Sequence, residues 1–403
     1  MKKINFSKLN IIFISFFLHQ SSVIAGINMS FSDIFAIILA FRIFLIERYK
    51  INMYHIIFLC FILIVYLFDS CFIIPIKMNI NIEYIKLLSE IIKIMILFIF
   101  FELGIFLKNN RKIEYLLKYY SYSALIITIF SIGITIIKIN PFYNRLYLVP
   151  NRLNGLIIDP NYFSILEISS LPYFLNNKKL SATKKIIYSL IILIGTIMSG
   201  SKTGFIILSV YIVYRFLKSI LYSYKFNEYN KLLYLFIIFI FIILVYNSIN
   251  DLIYYLNLYF PISNRVTSIF LNFNKSLNSG GSSRLYAWGN GIELIKLFPY
   301  TGVGKGNNSI IARILFSNGV IAHNTYIQIF VDWGLIIGIS LFTYFIYKYF
   351  KVFKNYNTYV IEREILTIYL LGSLGISLDN SRMLWLIIGS ILFFNNYMCY
   401  TDK

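Results

Sequence analysis

Long apolar runs broken by short polar clusters recur along the whole chain. They predict membrane-spanning helices near 10–27, 31–46, 52–74, 84–107, 118–138, 160–176, 184–199, 202–217, 231–250, 324–347, 363–379 and 382–400. Each approaches or exceeds the roughly 20 residues that a helix needs to cross the hydrocarbon core, the second and the pair around Gly200 being the shortest. Lys2, Lys3 and Lys8 precede the first run, as in a secretory signal peptide. Because many similar runs follow, it is read as an uncleaved first span. The fold class expected is an all-α polytopic membrane protein of about 12 transmembrane helices. Residues 1–250 hold spans one to nine, 251–323 form one large loop, and 324–403 hold the last three spans.

Composition agrees. The 403 residues are 59% hydrophobic and 13% charged, with a mean hydropathy of +0.73, against about 25% charged in a soluble domain. A water-soluble enzyme of this make-up would have nowhere to bury its apolar side chains. Cys60, Cys71 and Cys399 show neither metal-ligand spacing nor a disulfide framework.

The net charge of +20 suggests nucleic acid only until it is mapped. With the N-terminus cytoplasmic, the short cytoplasmic loops collect most of the Lys and Arg, as the positive-inside rule requires, and both termini fall inside. No nucleic-acid partner is expected; anionic membrane lipids are. The two halves show no internal repeat, which counts against a transporter built from inverted repeats.

Two outer segments stand apart. Residues 139–159 carry Arg145 and Arg152. Residues 251–323 carry Arg265, Lys275, Arg284, Lys296, Lys305 and Arg313 against Asp251 and Glu293. Loops this long are usually functional or disordered; the aromatics here favour one folded against the membrane face. Within it, Leu285, Trp288, Ile292, Ile295 and Phe298 recur at steps of three or four, which predicts an amphipathic helix in the interface.

Several clusters bear on chemistry. Gly195–Thr203 misses the phosphate-binding loop pattern because Ser201 separates Gly200 from Lys202. Gly302-Val-Gly304-Lys-Gly306 is either a turn that aims backbone N–H groups at an anion or a plain turn. Lys86, Glu90 and Lys93 have the spacing of mutual pairing on one helix face. Glu167 lies deeper in the sixth span and could face a cavity. His323 is the outer histidine: a helix-start polar group, or the proton handler of a site. His19 and His55 fit interfacial or packing roles. A lone outer arginine is usually a solvated charge; Arg145, Arg152, Arg265, Arg284 and Arg313 converging on one face suggest an anionic headgroup or pyrophosphate, which guanidinium grips bidentately.

Four blocks resemble the O-antigen ligase/polymerase family, the Wzy and WaaL type of cell-surface polysaccharide enzymes. They are Arg152-Leu-Asn-Gly155 through Asp159-Pro160-Asn161-Tyr162-Phe163; Ser199-Gly-Ser-Lys202-Thr-Gly204; Arg284-x-x-x-Trp288 followed by Pro299-Tyr-Thr-Gly302-Val-Gly304-x-Gly306-Asn307; and His323-Asn324-x-Tyr326 through Asp332-Trp-Gly334-Leu-Ile-x-Gly338. The resemblance implies a glycosyltransferase of the GT-C-like kind, with short interfacial helices in its large periplasmic loop. It implies work on undecaprenyl-pyrophosphate-linked glycans at the periplasmic face of the inner membrane, with no metal and no cofactor. A polymerase passes the growing chain to the sugar of a new lipid-linked repeat unit; a ligase passes it to lipid A–core. The Arg-x15-Gly pattern of polymerases fits Arg265 to Gly281 but neither Arg145 nor Arg152. The short chain, matching ligases only through the shared blocks, tilts the expectation toward a polymerase, with a chain-length regulator and a flippase as partners.

In that scheme Arg152 and Arg284 stabilise the leaving pyrophosphate and His323 is the base, with Asp159 or Glu167 in reserve. Arg145, Arg265, Arg313, Asn161 and Asn324 belong to substrate binding. Trp288 and Tyr326 either stack on sugars or belong to the interfacial aromatic belt. A transporter or flippase would instead place its charges near the midplane.

Overall fold

The structure, a computed structural model, describes residues 6–24, 27–137, 140–148, 152–221, 283–317, 319, 322–353 and 360–392. The ninth predicted span and Arg265, Lys275 and Gly281 lie outside these residues.

Helices dominate. Helices occupy the stretches read as spans: α1 (Phe6–Phe17), α2 (Phe31–Leu45), α3 (Met53–Phe68) running through a π-helical turn (Asp69–Ile73) into α4 (Ile74–Met78), α5 (Tyr84–Asn109), α6 (Ile113–Ile137), α8 (Pro160–Asn176), α9 (Ala182–Met198), α10 (Lys202–Leu221), α13 (Thr325–Phe353), α14 (Val360–Gly372) and α15 (Arg382–Leu392). Between them lie α7 (Asn140–Leu146), α11 (Arg284–Leu297) and α12 (Asn308–Phe316). Met53–Met78, Ile113–Ile134 and Thr325–Lys351 are long and apolar enough, by length and composition, to cross a membrane. This is a mostly helical membrane protein.

Local chemistry sets several boundaries. Ser30 and Asp33 form a reciprocal capping box on α2. Asp159 caps α8, whose first residue is Pro160, a position where the missing N–H is not needed. The first predicted span ends early: α1 stops at Phe17, and an antiparallel hairpin, β1 (Ser22–Ile24) with β2 (Ile27–Met29), follows. Hydropathy does not distinguish these, because a short apolar hairpin and a helix end have the same composition. The eleventh span is also shorter, since α14 ends at Gly372 and residues 373–381 form a loop.

The ion pairs between elements sort the loops into two ends. At one end Lys108 meets Glu362, Lys112 meets Glu47, and Glu364 receives Arg215 and Lys218 at 3.0 Å each. At the other, Arg382 meets Asp33 and Lys305 meets Asp379. Each pair joins segments that charge counting assigns to one side, as alternating spans require. The main core, with Phe100, Tyr120, Phe163, Phe174, Tyr369 and Leu386, lies between these ends. There α5 and α15 cross so closely that a Cβ on Gly104 would overlap the Leu386 carbonyl, and one on Gly389 the Phe101 carbonyl.

A second, smaller apolar cluster, including Ile74, Leu294, Phe298, Val303, Ile311 and Val331, seats α11 and α12 against α13. The predicted helix at 284–298 forms as Arg284–Leu297, and its small residues rather than its large apolar ones face the protein. Arg284, Ala287, Asn290, Gly291 and Leu294 are buried, while Leu285 and Ile292 point outward. Small residues permit the close seat on α13, leaving the larger apolar side chains outside. Lys93 pairs with Glu90 at 2.5 Å as its spacing suggests, but the Lys86 ammonium has no hydrogen-bond partner among the described residues.

Candidate active site

The site lies at the end of the bundle that charge counting assigns to the outside, and begins at a second hairpin. There β3 (Tyr147–Leu148) pairs with β4 (Arg152–Leu153), which brings Arg152 beside the start of α8. Arg152 is buried; its Nε donates to the Ser199 carbonyl at 2.9 Å and its Nη2 to Asn161 Oδ1 at 3.0 Å. The Asn161 amide and backbone N–H both donate to Asp159 Oδ1, at 3.0 and 2.8 Å. Asp159, Asn161 and Arg152 thus form one hydrogen-bonded chain that ends on the Ser199–Ser201 turn between α9 and α10. That turn is close-packed: Gly200 has φ +57, Gly204 N donates to Ser201 Oγ at 3.0 Å, and Lys202 is buried.

His323 stands just before α13. Its φ of +47 is uncommon for a residue with a Cβ and persists only where neighbours hold it. Asn324 Oδ1 caps α13 by accepting from Tyr326 N (2.9 Å) and Ile327 N (3.2 Å), and the Tyr326 hydroxyl donates to the Leu370 carbonyl at 2.9 Å. Asn324 Oδ1 therefore serves the helix start, while the Tyr326 hydroxyl ties α13 to α14. Burial holds the His323 imidazole below its ordinary range; the charge of Asp159 raises it and that of Arg284 lowers it further. His323 is thereby within the electrostatic reach of residues from two of the other three blocks. Arg284, the first residue of α11, is buried. One turn on, Trp288 has a buried indole N–H with no hydrogen-bond partner among the described residues.

Arg152, Asp159, Asn161, Arg284 and His323 are thus brought together. Arg145 on α7 and Arg313 on α12 are exposed, and none of the hydrogen bonds above involves them. Glu167 sits six residues past Asn161, about 9 Å farther along α8 at a helix rise of ~1.5 Å per residue. It is fully buried, accepting from Thr128 Oγ1 at 2.9 Å, with Oε1 unpartnered among the described residues.

The glycine cluster is not an anion turn in this structure. Gly334, at φ +70 and ψ 178, breaks α13, and a break at membrane depth leaves backbone groups that protein must satisfy. Val303 N donates to Val331 O (2.8 Å), Gly304 N to Asp332 O (3.1 Å), and Leu335 N to Pro299 O (2.7 Å). The loop is the helix's missing partner. Hydropathy shows neither this break nor the loop 373–381, whose signal was the turn-rich Ser373-Leu-Gly-Ile-Ser-Leu-Asp-Asn-Ser381 inside an assigned span.

A search of curated proteins finds no match to the chain. Residues 187–343, from within α9 to within α13, match a family model described as O-antigen ligase. This stretch, which holds the Ser199–Gly204 turn, Arg284, the glycine loop and His323, is similar to that family, and the match leaves polymerase and ligase unseparated.

Proposed function

We propose that the protein is an O-antigen or surface-polysaccharide polymerase of the bacterial inner membrane, with both termini cytoplasmic and its site at the periplasmic face. It moves a glycan from undecaprenyl pyrophosphate onto the sugar of a new lipid-linked repeat unit, without a metal and with inversion. The observation that carries the reading is the convergence of Arg152, Arg284 and His323, from three separate blocks, at one end of the helical bundle. A transporter's charges would be expected near the midplane instead.

The reaction breaks the bond between the donor's anomeric carbon and its pyrophosphate oxygen, and forms one from that carbon to an acceptor hydroxyl oxygen. The hydroxyl proton passes to His323, whose imidazole burial keeps neutral and ready to accept it. The electron pair leaves with the pyrophosphate, where Arg152 and Arg284 stabilise the developing charge. Asp159 orients Asn161, and Asn161 holds Arg152. The polyprenyl chain enters sideways from the bilayer. Among partners, a chain-length regulator and a flippase fit this role.

The family description itself favours a second reading, a ligase that transfers the glycan to lipid A–core. Complementation of a host lacking its own enzyme separates them. A ladder extended from core-plus-one-unit marks a polymerase; conversion of bare core to glycan-bearing core marks a ligase. Full activity of both Arg284→Lys and His323→Ala at normal protein levels, or reporter fusions that put residue 284 or 323 in the cytosol, refutes the site.

A further inference from the structure

We propose that the buried Lys305–Asp379 ion pair is a positioning element for His323, closing a ring of contacts around the first turns of α13. The proposal rests on the reading of His323 as the base.

The loop 373–381 grips the residues that follow His323. Thr325 N donates to Ser373 O (2.8 Å) and Thr325 Oγ1 to Ile376 O (2.8 Å), while Leu378 N donates to Thr325 Oγ1 (2.8 Å). Asn324 Nδ2 donates to Leu374 O at 3.1 Å. The same loop reaches the other blocks: a Cβ on Gly375 would lie 2.7 Å from Thr203 Oγ1, and Ser381 Oγ meets the Tyr162 hydroxyl at 3.0 Å. The strained φ of His323 is thus imposed from residues 324 and 325, which this loop holds.

Two turns on, the glycine loop is mated to the break in α13, as described above. One piece of helix, residues 325–333, is therefore clamped at its start by loop 373–381 and at its end by loop 299–304. Lys305 and Asp379 join the two clamps: Lys305 Nζ donates to Asp379 Oδ2 at 2.5 Å, and Asp379 carries the sole charge in loop 373–381. Both side chains are largely buried. Burial opposes the charge on Lys305, but Asp379, Asp332 and Glu90 together hold its ammonium above the ordinary lysine range. Asp332 is fixed by Gln328 Nε2 at 2.7 Å, and the Asp379 carbonyl by Trp385 Nε1 at 2.7 Å. Without the pair the two clamps move independently, and the imidazole loses its setting toward Asp159 and Arg284.

The test uses the full chain in nanodiscs, with lipid-linked glycan extracted from producing cells as substrate. Variants are Lys305→Met, Asp379→Asn, the double variant, Lys305→Arg and His323→Ala. Displacement of a catalytic group by about 1 Å can lower turnover on the order of 10²-fold. Lys305→Met and Asp379→Asn are expected to lose at least roughly tenfold in kcat, with KM nearly unchanged and the ascending limb of the pH profile displaced. The double variant is expected to be no worse than the poorer single, because the pair acts as a unit, and Lys305→Arg to restore turnover. Unchanged kcat and pH limb in both single variants, with His323→Ala inactive, overturns the positioning role alone. Full turnover by His323→Ala overturns the base reading and the proposal with it. If both single variants fail to accumulate while Lys305→Arg does, the pair holds the whole fold rather than the imidazole, and the proposal fails.

Discussion

Gly302 and Gly334 meet backbone to backbone: a Cβ on Gly302 would lie 2.6 Å from the Gly334 amide nitrogen, and one on Gly334 would lie 2.8 Å from the Gly302 nitrogen. Both have positive φ, +76 and +70. The contact lets a loop replace the hydrogen bonds that α13 gives up at its break, so the helix can be interrupted without stranding polar groups.

Gly334→Ala is expected to destabilise the protein by more than the ~1–3 kcal/mol that a disfavoured backbone conformation alone costs, since the added methyl also drives the glycine loop away. Thermal unfolding of the detergent-solubilised protein checks this. An unchanged melting temperature would mean that the loop is not docked as described.

Arg152→Lys keeps the charge but cannot reach both the Ser199 carbonyl and Asn161 with a planar fork. Loss of one preorganised donor to developing charge lowers turnover by about 10²–10³-fold, and a fall of that order is expected in initial rates. Wild-type rates in Arg152→Lys would leave the guanidinium without a role.

The pH dependence follows from His323. Burial and Arg284 hold its imidazole low and Asp159 opposes them, so the neutral base is present above an apparent pKa lower than the ordinary value of about 6.5. Turnover should rise with pH through that lowered value and level off above it. Asp159→Asn keeps a good helix cap but removes the charge that raises the imidazole, so the ascending limb should move to lower pH. A limb that moves upward contradicts the assignment.

At the opposite end of the bundle, Glu364 accepts from the Tyr211 hydroxyl at 2.8 Å, from Asn176 Nδ2 at 2.9 Å, and from Arg215 and Lys218. Glu364→Ala leaves two cations facing each other, and losing one partner of a buried pair typically costs about 3–5 kcal/mol. Denaturant unfolding should register that loss, while turnover per folded molecule stays near wild type. A selective fall in turnover would tie this cluster to the chemistry instead.

Much of the fold was legible because its signals are local. Asp159-Pro160 marked the start of α8, the polar turn at Ser199–Ser201 separated α9 from α10, and the spacing of Leu285 to Phe298 marked α11 as a helix. Where several weak blocks would meet was also legible in outline, because charge assigned Arg152, Arg284 and His323 to one side. The break in α13 was not: an apolar stretch reads the same whether or not its backbone is continuous. Loop 373–381 was hidden likewise, its few polar residues sitting among leucines and isoleucines.

The sequence by itself determined the medium and the alternation of ends, because hydropathy and charge act residue by residue against lipid and water. Only the tertiary structure decided that the Asn324 amide reaches the Leu374 carbonyl, that Ala287 and Gly291 rather than Leu285 and Ile292 face the protein, and that Lys305 finds Asp379 across 74 residues of chain. Those outcomes depend on which faces meet when the helices pack, and pairing between distant segments leaves no periodic trace along the chain.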